Sequence, residues 1–339
     1  MVSKKTVLSI LTSISILLLT LHGCVPSPPP TEPPRAVTDQ AGRTVAIAGP
    51  AERIVSGYYI STSACLALGL ADKLAGVEAK AVTRPIYALA APDLLNLPNV
   101  GTAKDFSLEA CLALTPDLVI LPVSLRAPAD VLAGMGVPVI LVDPESLTGL
   151  TEMITLIGDA AGVPDRARRL TGRISEARAA FDKLTANLTQ RPAVYMCGVS
   201  SWLTTAPRDM YQASMIELAG GVNAARDIGG RGWTAISYEQ LLAMDPEVMV
   251  IPAEAGYGRE DILNDPLLAG VAAVREGRVY QMPGAIEAWD SPAPSCLLGV
   301  GWLLHVLHGD IYPLEALRAD AESFYREFYG IQIDSNMIE

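Results

Sequence analysis

Residues 107–122, SLEACLALTPDLVILP, and residues 237–252, SYEQLLAMDPEVMVIP, repeat one pattern within a single chain. Each stretch opens with serine, has glutamate two residues later, reaches a proline at its tenth position and ends in an apolar run. Serine is a preferred helix N-cap, proline ends a helix, and a continuous apolar run is typical of a buried parallel strand. The repeat therefore predicts two similar helix–strand units, one in each half of the chain.

The segments around the two copies alternate between strand-like and helix-like patterns. Strand-like segments such as TVAIAG (44–49) and PAVYMCGVS (192–200) are each followed by helical stretches with an apolar face. Residues 150–188 differ, because they show no strand pattern and end in one long amphipathic helix. This predicts an α/β fold with two doubly wound, Rossmann-like lobes, joined by one long rigid helix and separated by a ligand cleft. The predicted parts are an N-terminal α/β lobe (38–164), a connecting helix (165–188) and a C-terminal α/β lobe (189–339).

The start of the chain has the composition of a targeting segment and a spacer. A short basic start precedes an apolar run that ends at LHGC, which predicts a signal peptide over residues 1–24. The apolar run is shorter than the roughly 20 residues that span a membrane, and an uncleaved anchor is the alternative. The LHGC ending resembles the lipobox of bacterial lipoproteins, which implies lipidation of Cys24 and an extracytoplasmic protein held to the membrane by lipid. The proline-rich residues 25–37 predict an extended linker.

Composition narrows the class of protein. A length of 339 residues suits two domains, and a formal net charge of −12 argues against nucleic acid or an anionic membrane surface as the main partner. Beyond the leader, the cysteines lie in apolar segments without CxxC spacing, which favours buried thiols and leaves a disulfide open. They are Cys65, Cys111, Cys197 and Cys296.

The sequence predicts no enzyme and no metal site. It contains no GxSxG motif, no phosphate-binding loop and no GxGxxG after a strand. Beyond the leader, His305 and His308 are the histidines, and both lie in one C-terminal helical segment. They are expected to be helix-end residues, because a metal site needs several ligands that converge.

Six segments in order resemble the substrate-binding proteins of bacterial ABC importers for vitamin B12, ferric siderophores and haem, the type with a single connecting helix. The resemblance covers about residues 37–330 and implies a monomer that delivers its ligand to a permease dimer with its ATPase. The segments are AERIVSGYYISTSACLALGLADKLAGVEA (51–79), NVGTAKDFSLEACLALTPDLVILP (99–122), IELAGGVNAA (216–225), WTAISYEQLLAMDPEVMVIP (233–252), AVREGRVYQMP (273–283) and FYREFYG (324–330).

The resemblance assigns a role to the glutamate of each repeated unit. In that family the two glutamates form salt bridges with arginines of the two membrane subunits, and the matching residues here are Glu109 and Glu239. One carboxylate per lobe also suits docking onto a two-fold symmetric partner. The alternative is that each glutamate only stabilises the N-terminus of its own helix.

Aromatic residues in loops are the first candidates for ligand contact, because planar or chelated ligands are held by aromatic walls. Trp233 matches the position of a ligand-stacking tryptophan in the vitamin B12 binder of the family. The other candidates are Tyr58, Tyr59, Trp202 and Trp289. For each of them, packing at the rim or in the core is the alternative.

Loop cations form a second set of candidates in this acidic chain and would suit an anionic ligand group. They are Arg84, Lys104, Arg208 and Arg231. For each, an exposed ion pair is the alternative. Haem binders of the family often have a tyrosine before proline where this chain has Arg84–Pro85, so haem would need Tyr58 or Tyr59.

The expected ligand is a metal chelate, with a ferric siderophore first and a corrinoid close behind. Haem and a molybdate-type oxyanion are the further alternatives for the same fold. No cofactor is expected, although the ligand can carry iron or cobalt. A surface lipoprotein of adhesion or signalling, without a role in transport, is the alternative of a different class.

Overall fold

The computed structural model describes residues 35–338. The predicted signal peptide (1–24), Cys24 and most of the predicted linker (25–37) lie outside the described residues. Within residues 35–338, no helix combines the length and apolar character needed to cross a membrane. The end of the predicted linker is strand rather than extended spacer, because Arg35–Thr38 pairs with Thr44–Ile47.

Strands and helices alternate along most of the described chain. The strands are β1 (Arg35–Thr38), β2 (Thr44–Ile47), β3 (Ile54–Ser56), β4 (Leu74–Gly76), β5 (Leu118–Pro122), β6 (Val139–Val142), β7 (Ala193–Met196), β8 (Thr204–Thr205), β9 (Val222–Asn223), β10 (Thr234–Ala235), β11 (Val248–Ile251) and β12 (Val279–Gln281). The α-helices are α1 (Tyr59–Ala67), α2 (Pro85–Ala90), α3 (Leu108–Ala113), α4 (Arg126–Gly134), α5 (Leu147–Ala161), α6 (Pro164–Thr185), α7 (Tyr211–Leu218), α8 (Tyr238–Met244), α9 (Arg259–Leu263), α10 (Ala272–Arg275), α11 (Cys296–His308) and α12 (Leu314–Tyr329).

Two four-stranded parallel sheets form the two lobes, and they have the same topology. The first sheet has the order β4-β3-β5-β6, and the second has the order β9-β7-β11-β12. In both, the first strand in the chain lies between the second and the third, and the fourth lies at the edge. This confirms the predicted α/β class with two related lobes. The two-stranded antiparallel pairs β1–β2 and β8–β10 complete the strands.

Side chains alternate between two cores along the central strands. In β5, Leu118 and Ile120 pack into a core shared by both halves, whereas Val119 and Leu121 pack into a core of the first lobe. The matching residues of β11 alternate between the shared core and a core of the second lobe in the same way. Both faces are therefore covered, which explains the continuous apolar runs.

Helix α6 connects the lobes. It has 22 residues, which corresponds to a length of about 33 Å. It packs against α5 on one side and against α7 and α11 of the second half. The helix ends three residues before the predicted limit of 188, and α12 packs back onto α1 of the first half. The domain limits 38–164, 165–188 and 189–339 stay predictions.

The duplicated sequences begin with the same helix cap. The Ser107 hydroxyl accepts a hydrogen bond from the main-chain N–H of Ala110 at 3.1 Å, and the Ser237 hydroxyl accepts one from Gln240 at 3.3 Å. Each hydroxyl satisfies an N–H that the helix itself leaves without a partner. The first serine of each copy is thus the N-cap that the sequence predicts.

The two units also leave their helices through the same uncommon backbone conformation. Thr115 has a φ of 47° and Asp245 a φ of 39°, and each directly precedes the proline of its copy. Non-glycine residues adopt positive φ rarely. Its presence at matching positions shows that the turn belongs to the repeated unit.

The acidic residue after each proline ties two strands together at their start. The Asp117 carboxylate accepts hydrogen bonds from the main-chain N–H groups of Glu52 and Arg53 at 2.8 and 2.9 Å. The Glu247 carboxylate accepts one from Ala193 at 3.0 Å. The first contact joins β5 to the start of β3, and the second joins β11 to the start of β7.

The cysteines and histidines have structural positions. All four cysteines of the described chain are buried free thiols, and burial raises the pKa of Cys65 and of Cys296 to about 12. His305 and His308 lie near the end of α11 and bond to different main-chain carbonyls.

Candidate functional site

Loops at the carboxyl ends of the strands surround a cleft of about 530 Å³ between the lobes. In the first lobe these loops follow β3, β5 and β6, and in the second they follow β7, β11 and β12. Open α/β sheets bind their ligands at this edge, where the strand order reverses. The volume lies within the range of about 300–1,000 Å³ that is usual for small-molecule sites.

Tyr58 and Tyr59 form the aromatic wall of the first lobe. They follow β3 at the start of α1, and their rings meet edge to face with centroids 5.2 Å apart. Gly57 precedes them because a Cβ there would lie 2.6 Å from a methyl carbon of Leu121. The hydroxyl of Ser61, within the first turn of α1, donates to the main-chain carbonyl of Tyr58 at 2.8 Å.

The hydroxyl groups of the two tyrosines are held by partners in different lobes. Tyr58 donates to the carboxylate of Glu145 at 3.0 Å, and Tyr59 donates to the Ser291 hydroxyl of the second lobe at 3.2 Å. Burial raises the pKa of Tyr59 to about 12 and raises the pKa of Tyr58 further. Both phenols are therefore neutral at physiological pH.

Trp233 forms the aromatic wall of the second lobe. It lies directly before β10, lines the cleft and is 38% exposed. Arg231, two residues earlier, also lines the cleft, and its guanidinium lies 3.3 Å from the Asp143 carboxylate of the first lobe. The structure thus places both predicted residues of this loop at the cleft. Ligand contact by either residue stays a prediction.

Arg84 lies beside the cleft rather than in its main volume. Its guanidinium stacks over the Tyr59 ring at 4.3 Å from the centroid and forms an ion pair with Glu254 of the second lobe. It lines a side cavity of about 130 Å³ that shares Tyr59 and Glu254 with the cleft. Within the described residues, its buried Nε has no hydrogen-bond partner.

The two arginines bridge the lobes in opposite directions. Arg84 of the first lobe pairs with Glu254 of the second, and Arg231 of the second pairs with Asp143 of the first. Together with the bond from Tyr59 to Ser291, these contacts join both walls of the cleft. The arginines therefore already have carboxylate partners.

Carboxylates outnumber arginines around the cleft. The acidic lining residues are Asp143, Glu145, Glu254 and Asp290. Within residues 35–338, Arg231 is the one basic residue that lines the cleft. Arg84 lines the side cavity next to the cleft. Both arginines are paired with other carboxylates, so among residues 35–338 Glu145 and Asp290 line the cleft without an ion pair to either arginine.

Asp290 and Gln212 lie together at the wall of the second lobe. Asp290 is 5% exposed, and its pKa is raised to about 6, chiefly by burial; the nearby Glu254 carboxylate contributes to the rise, and a main-chain hydrogen bond and Arg84 oppose it. Gln212, also buried, donates from Nε2 to the main-chain carbonyl of Asp290 at 2.8 Å.

The carboxylates that line the cleft and Gln212 were not predicted from the sequence. Asp143 and Glu145 follow β6, and Glu254 follows β11, so their position after predicted parallel strands was a usable signal. Only aromatic and basic residues were predicted at the cleft. Gln212 and Asp290 carry no local signal, because a helix and a distant loop bring them together.

Two tryptophans among the candidates lie outside the cleft. Trp289 is buried in the core and donates from its indole N–H to the Tyr325 hydroxyl at 2.8 Å. Gly299 of α11 allows this packing, since a Cβ there would lie 2.3 Å from the Trp289 carbonyl oxygen. Trp202 packs edge to face against Tyr257, with ring centroids 5.2 Å apart, behind the cleft loops.

Two of the basic candidates also lie outside the cleft lining. Arg208 is exposed, and its guanidinium lies 3.6 Å from the neighbouring Asp209 carboxylate. Lys104 lies in the exposed turn of residues 101–106, of which Ala103 lines the cleft. Lys104 is thus at the rim.

Glu109 and Glu239 occupy matching, exposed positions. Each lies in the first turn of its helix, α3 or α8, directly after the N-cap region. A hydrogen bond from the Ser237 side chain lowers the pKa of Glu239. Among the described residues, neither glutamate has a basic partner, which leaves both available to another protein.

The described residues hold no metal centre of their own. Within 35–338, no group of three or more His, Cys, Asp or Glu side chains lies close enough together to bind a metal ion.

Two α/β lobes of matching topology around a ligand-sized cleft define a two-lobed solute-binding protein.

Comparison with known proteins supports this class. The model of the periplasmic binding protein family matches residues 54–285, and the chain belongs to this family. It is therefore a solute-binding protein of the ABC importer type, which acts outside the cytoplasm, and not an enzyme. The expected family is confirmed.

Relatives that are named for different ligands match over most or part of the chain. The molybdate-binding protein MolA of Haemophilus influenzae is 26% identical over 324 residues, which cover 87% of this chain and 91% of that protein. A vitamin B12-binding protein of Photorhabdus laumondii is 23% identical over 201 residues, which cover 59% and 70% of the two chains. A periplasmic solute-binding protein of Veillonella parvula superposes with a TM-score of 0.80 and 27% identity, over 90% and 95% of the two chains.

Proposed function

We propose that this protein captures a metal chelate without net negative charge and delivers it to the permease of an ABC importer. The observation that carries the proposal is the excess of carboxylates over arginines around the cleft. A ferric siderophore of the hydroxamate type is the first candidate, since such chelates are neutral or positively charged. A corrinoid is the second, whereas haem carries two anionic propionates and falls outside this class.

The aromatic residues support a chelate as the ligand. Tyr58 and Tyr59 face the cleft from the first lobe and Trp233 from the second, so a ligand between them contacts rings on both sides. Such rings offer broad apolar contact together with polar groups at their edges. A small inorganic ion would leave most of this surface unused.

The charges argue against an oxyanion as the ligand. MolA, a relative by sequence, is named for molybdate, and an anion would need free positive charge here. Both arginines near the cleft are instead paired with carboxylates, and two further carboxylates face the same space. An oxyanion would have to displace those partners and bind beside like charges, which is unfavourable.

We also propose that Glu109 and Glu239 dock onto the two membrane subunits. The support is their matching position in two helices with the same cap, one in each lobe. Their separation into two equivalent units fits a partner with two-fold symmetry.

The membrane attachment rests on sequence alone. We propose that Cys24 carries the lipid. A surface lipoprotein without a transport role would share this anchor, but it would not need paired carboxylates in two equivalent helices.

Isothermal titration against ligands of different charge tests the proposed ligand class. We expect a positively charged ferric trihydroxamate to bind with a dissociation constant at or below about 1 μM. Molybdate and a ferric tris-catecholate, both anions, are expected to bind at least about a hundredfold more weakly. Tighter binding of either anion would overturn the proposal.

A further inference from the structure

Gln212 has an orientation that its hydrogen bond determines. It lies near the start of α7 and lines the cleft with its side chain 6% exposed. Its Nε2 donates to the main-chain carbonyl oxygen of Asp290 at 2.8 Å. Because a carbonyl oxygen only accepts, the amide nitrogen must face it, and Oε1 must face away from that carbonyl.

The remaining amide oxygen has no partner in the protein. Within the described residues, Gln212 Oε1 is buried and accepts no hydrogen bond. Buried acceptors are nearly always satisfied, since an unsatisfied one costs free energy of folding. A residue that lines a ligand cleft can keep such an oxygen for a donor that arrives with the ligand.

The Asp290 carboxylate supplies a second acceptor in the same cleft, on the residue whose main-chain carbonyl holds Gln212. It lines the same cleft, and among residues 35–338 no basic side chain forms an ion pair with it. Arg84, the nearest contributor of positive charge, is engaged with Glu254 and with the Tyr59 ring. A pKa of about 6 leaves Asp290 ionised at neutral pH despite its burial.

We propose that Gln212 and Asp290 form an acceptor pair that binds a protonated primary amine on an arm of the ligand. An ammonium group has three N–H donors and a positive charge, so it can donate to the Gln212 oxygen and pair with the Asp290 carboxylate at once. A neutral amide N–H would satisfy the Gln212 oxygen but would not pair with the charge of Asp290. The inference rests on the proposed function, and it specifies which chelates the cleft selects.

Two matched ligands test the acceptor pair. One is a linear ferric trihydroxamate that ends in a primary amine, and the other is the same chelate with that amine acetylated. We expect the full chain to bind the amine form about tenfold or more tightly at pH 7.5, as measured by isothermal titration. The Gln212→Met variant keeps the side-chain length without an acceptor, and the Asp290→Asn variant removes the charge. Both are expected to bring the ratio of the two dissociation constants close to one.

The outcomes separate the acceptor pair from the proposed function. The control variant Gln190→Met replaces an exposed glutamine outside the cleft and should keep the preference for the amine form. If the wild-type protein binds both chelates equally, the inference is wrong, while the proposed function stands. If a variant weakens both chelates by the same factor, Gln212 or Asp290 has only a structural role. Failure of both chelates to bind the wild-type protein overturns the proposed function and this inference with it.

Discussion

At the scale of single residues, the cleft places a carboxyl group where ionisation is unfavourable. Asp290 is 5% exposed, and its pKa of about 6 compares with 3.8 for the free side chain. The folded protein therefore binds a proton more tightly than the unfolded chain between these two pH values. Stability falls as the pH rises through that window, because the buried group must ionise.

We expect the variant Asp290→Asn to be more stable than the wild type at pH 7.5. The difference between the two pKa values is worth at most about 3 kcal/mol, and the interactions with Glu254 and Arg84 will change the amount. Urea unfolding at pH 4 and pH 7.5 measures it, and the gain should shrink toward pH 4. The exposed Asp310→Asn is the matched control and should have little effect. A loss of stability at pH 7.5 in Asp290→Asn would contradict the account.

The sequence predicted single site residues unevenly, for a physical reason. Tyr58 and Tyr59 follow a strand end, so local pattern placed them at the cleft, whereas Trp233 was placed there by the resemblance to the vitamin B12 binder. Trp289 lies one residue before the cleft residue Asp290, yet its ring turns into the core. Local sequence predicts which loop reaches the cleft, but packing decides which side chain of that loop enters it.

At the scale of elements, the two copies of the repeated unit share their geometry although several of their residue types differ. The side chains of Asp117 and Glu247 differ in length, yet both carboxylates accept hydrogen bonds from main-chain N–H groups at the start of the neighbouring strand. Thr115 and Asp245 share a positive φ although their side chains differ. The position in the unit, and not the residue type, is what the two copies preserve.

We expect Asp117→Ala to destabilise the protein more than Glu247→Ala. Asp117 accepts two main-chain hydrogen bonds and Glu247 accepts one, so the losses are expected at about 1–2 and less than about 1 kcal/mol. Chemical denaturation at pH 7 measures both, and Glu176→Ala on the exposed side of α6 is the control. Equal losses, or a larger loss for Glu247→Ala, would show that these bonds do not determine the stability of the units.

The sequence predicted most elements because their patterns are strong. The helix–strand order, the buried strands β5 and β11 and the long helix α6 all follow from apolar periodicity and proline positions. The short pair β8–β10 escaped prediction, since its strands have two residues each and the paired residues lie 29 and 31 positions apart in the chain. Such pairing depends on the loops around it and leaves no periodic signal.

At the scale of the whole molecule, two kinds of contact hold the lobes together. A shared apolar core joins them behind the cleft, and reciprocal arginine–carboxylate pairs join them across it. Glu109 and Glu239 lie exposed near the starts of the two repeated helices, one in each lobe. The central claim is that this pair of carboxylates, one per lobe, engages the two halves of the importer.

ATP-dependent uptake of a radiolabelled ferric trihydroxamate into proteoliposomes that contain the permease and its ATPase tests that claim most directly. We expect the double variant Glu109→Gln/Glu239→Gln to lose uptake by about tenfold or more, because two docking charges are absent. Its affinity for the chelate should stay at the wild-type value. The control Glu176→Gln/Glu276→Gln, which changes two other exposed glutamates, should transport normally. Undiminished uptake by the Glu109→Gln/Glu239→Gln protein would contradict the account.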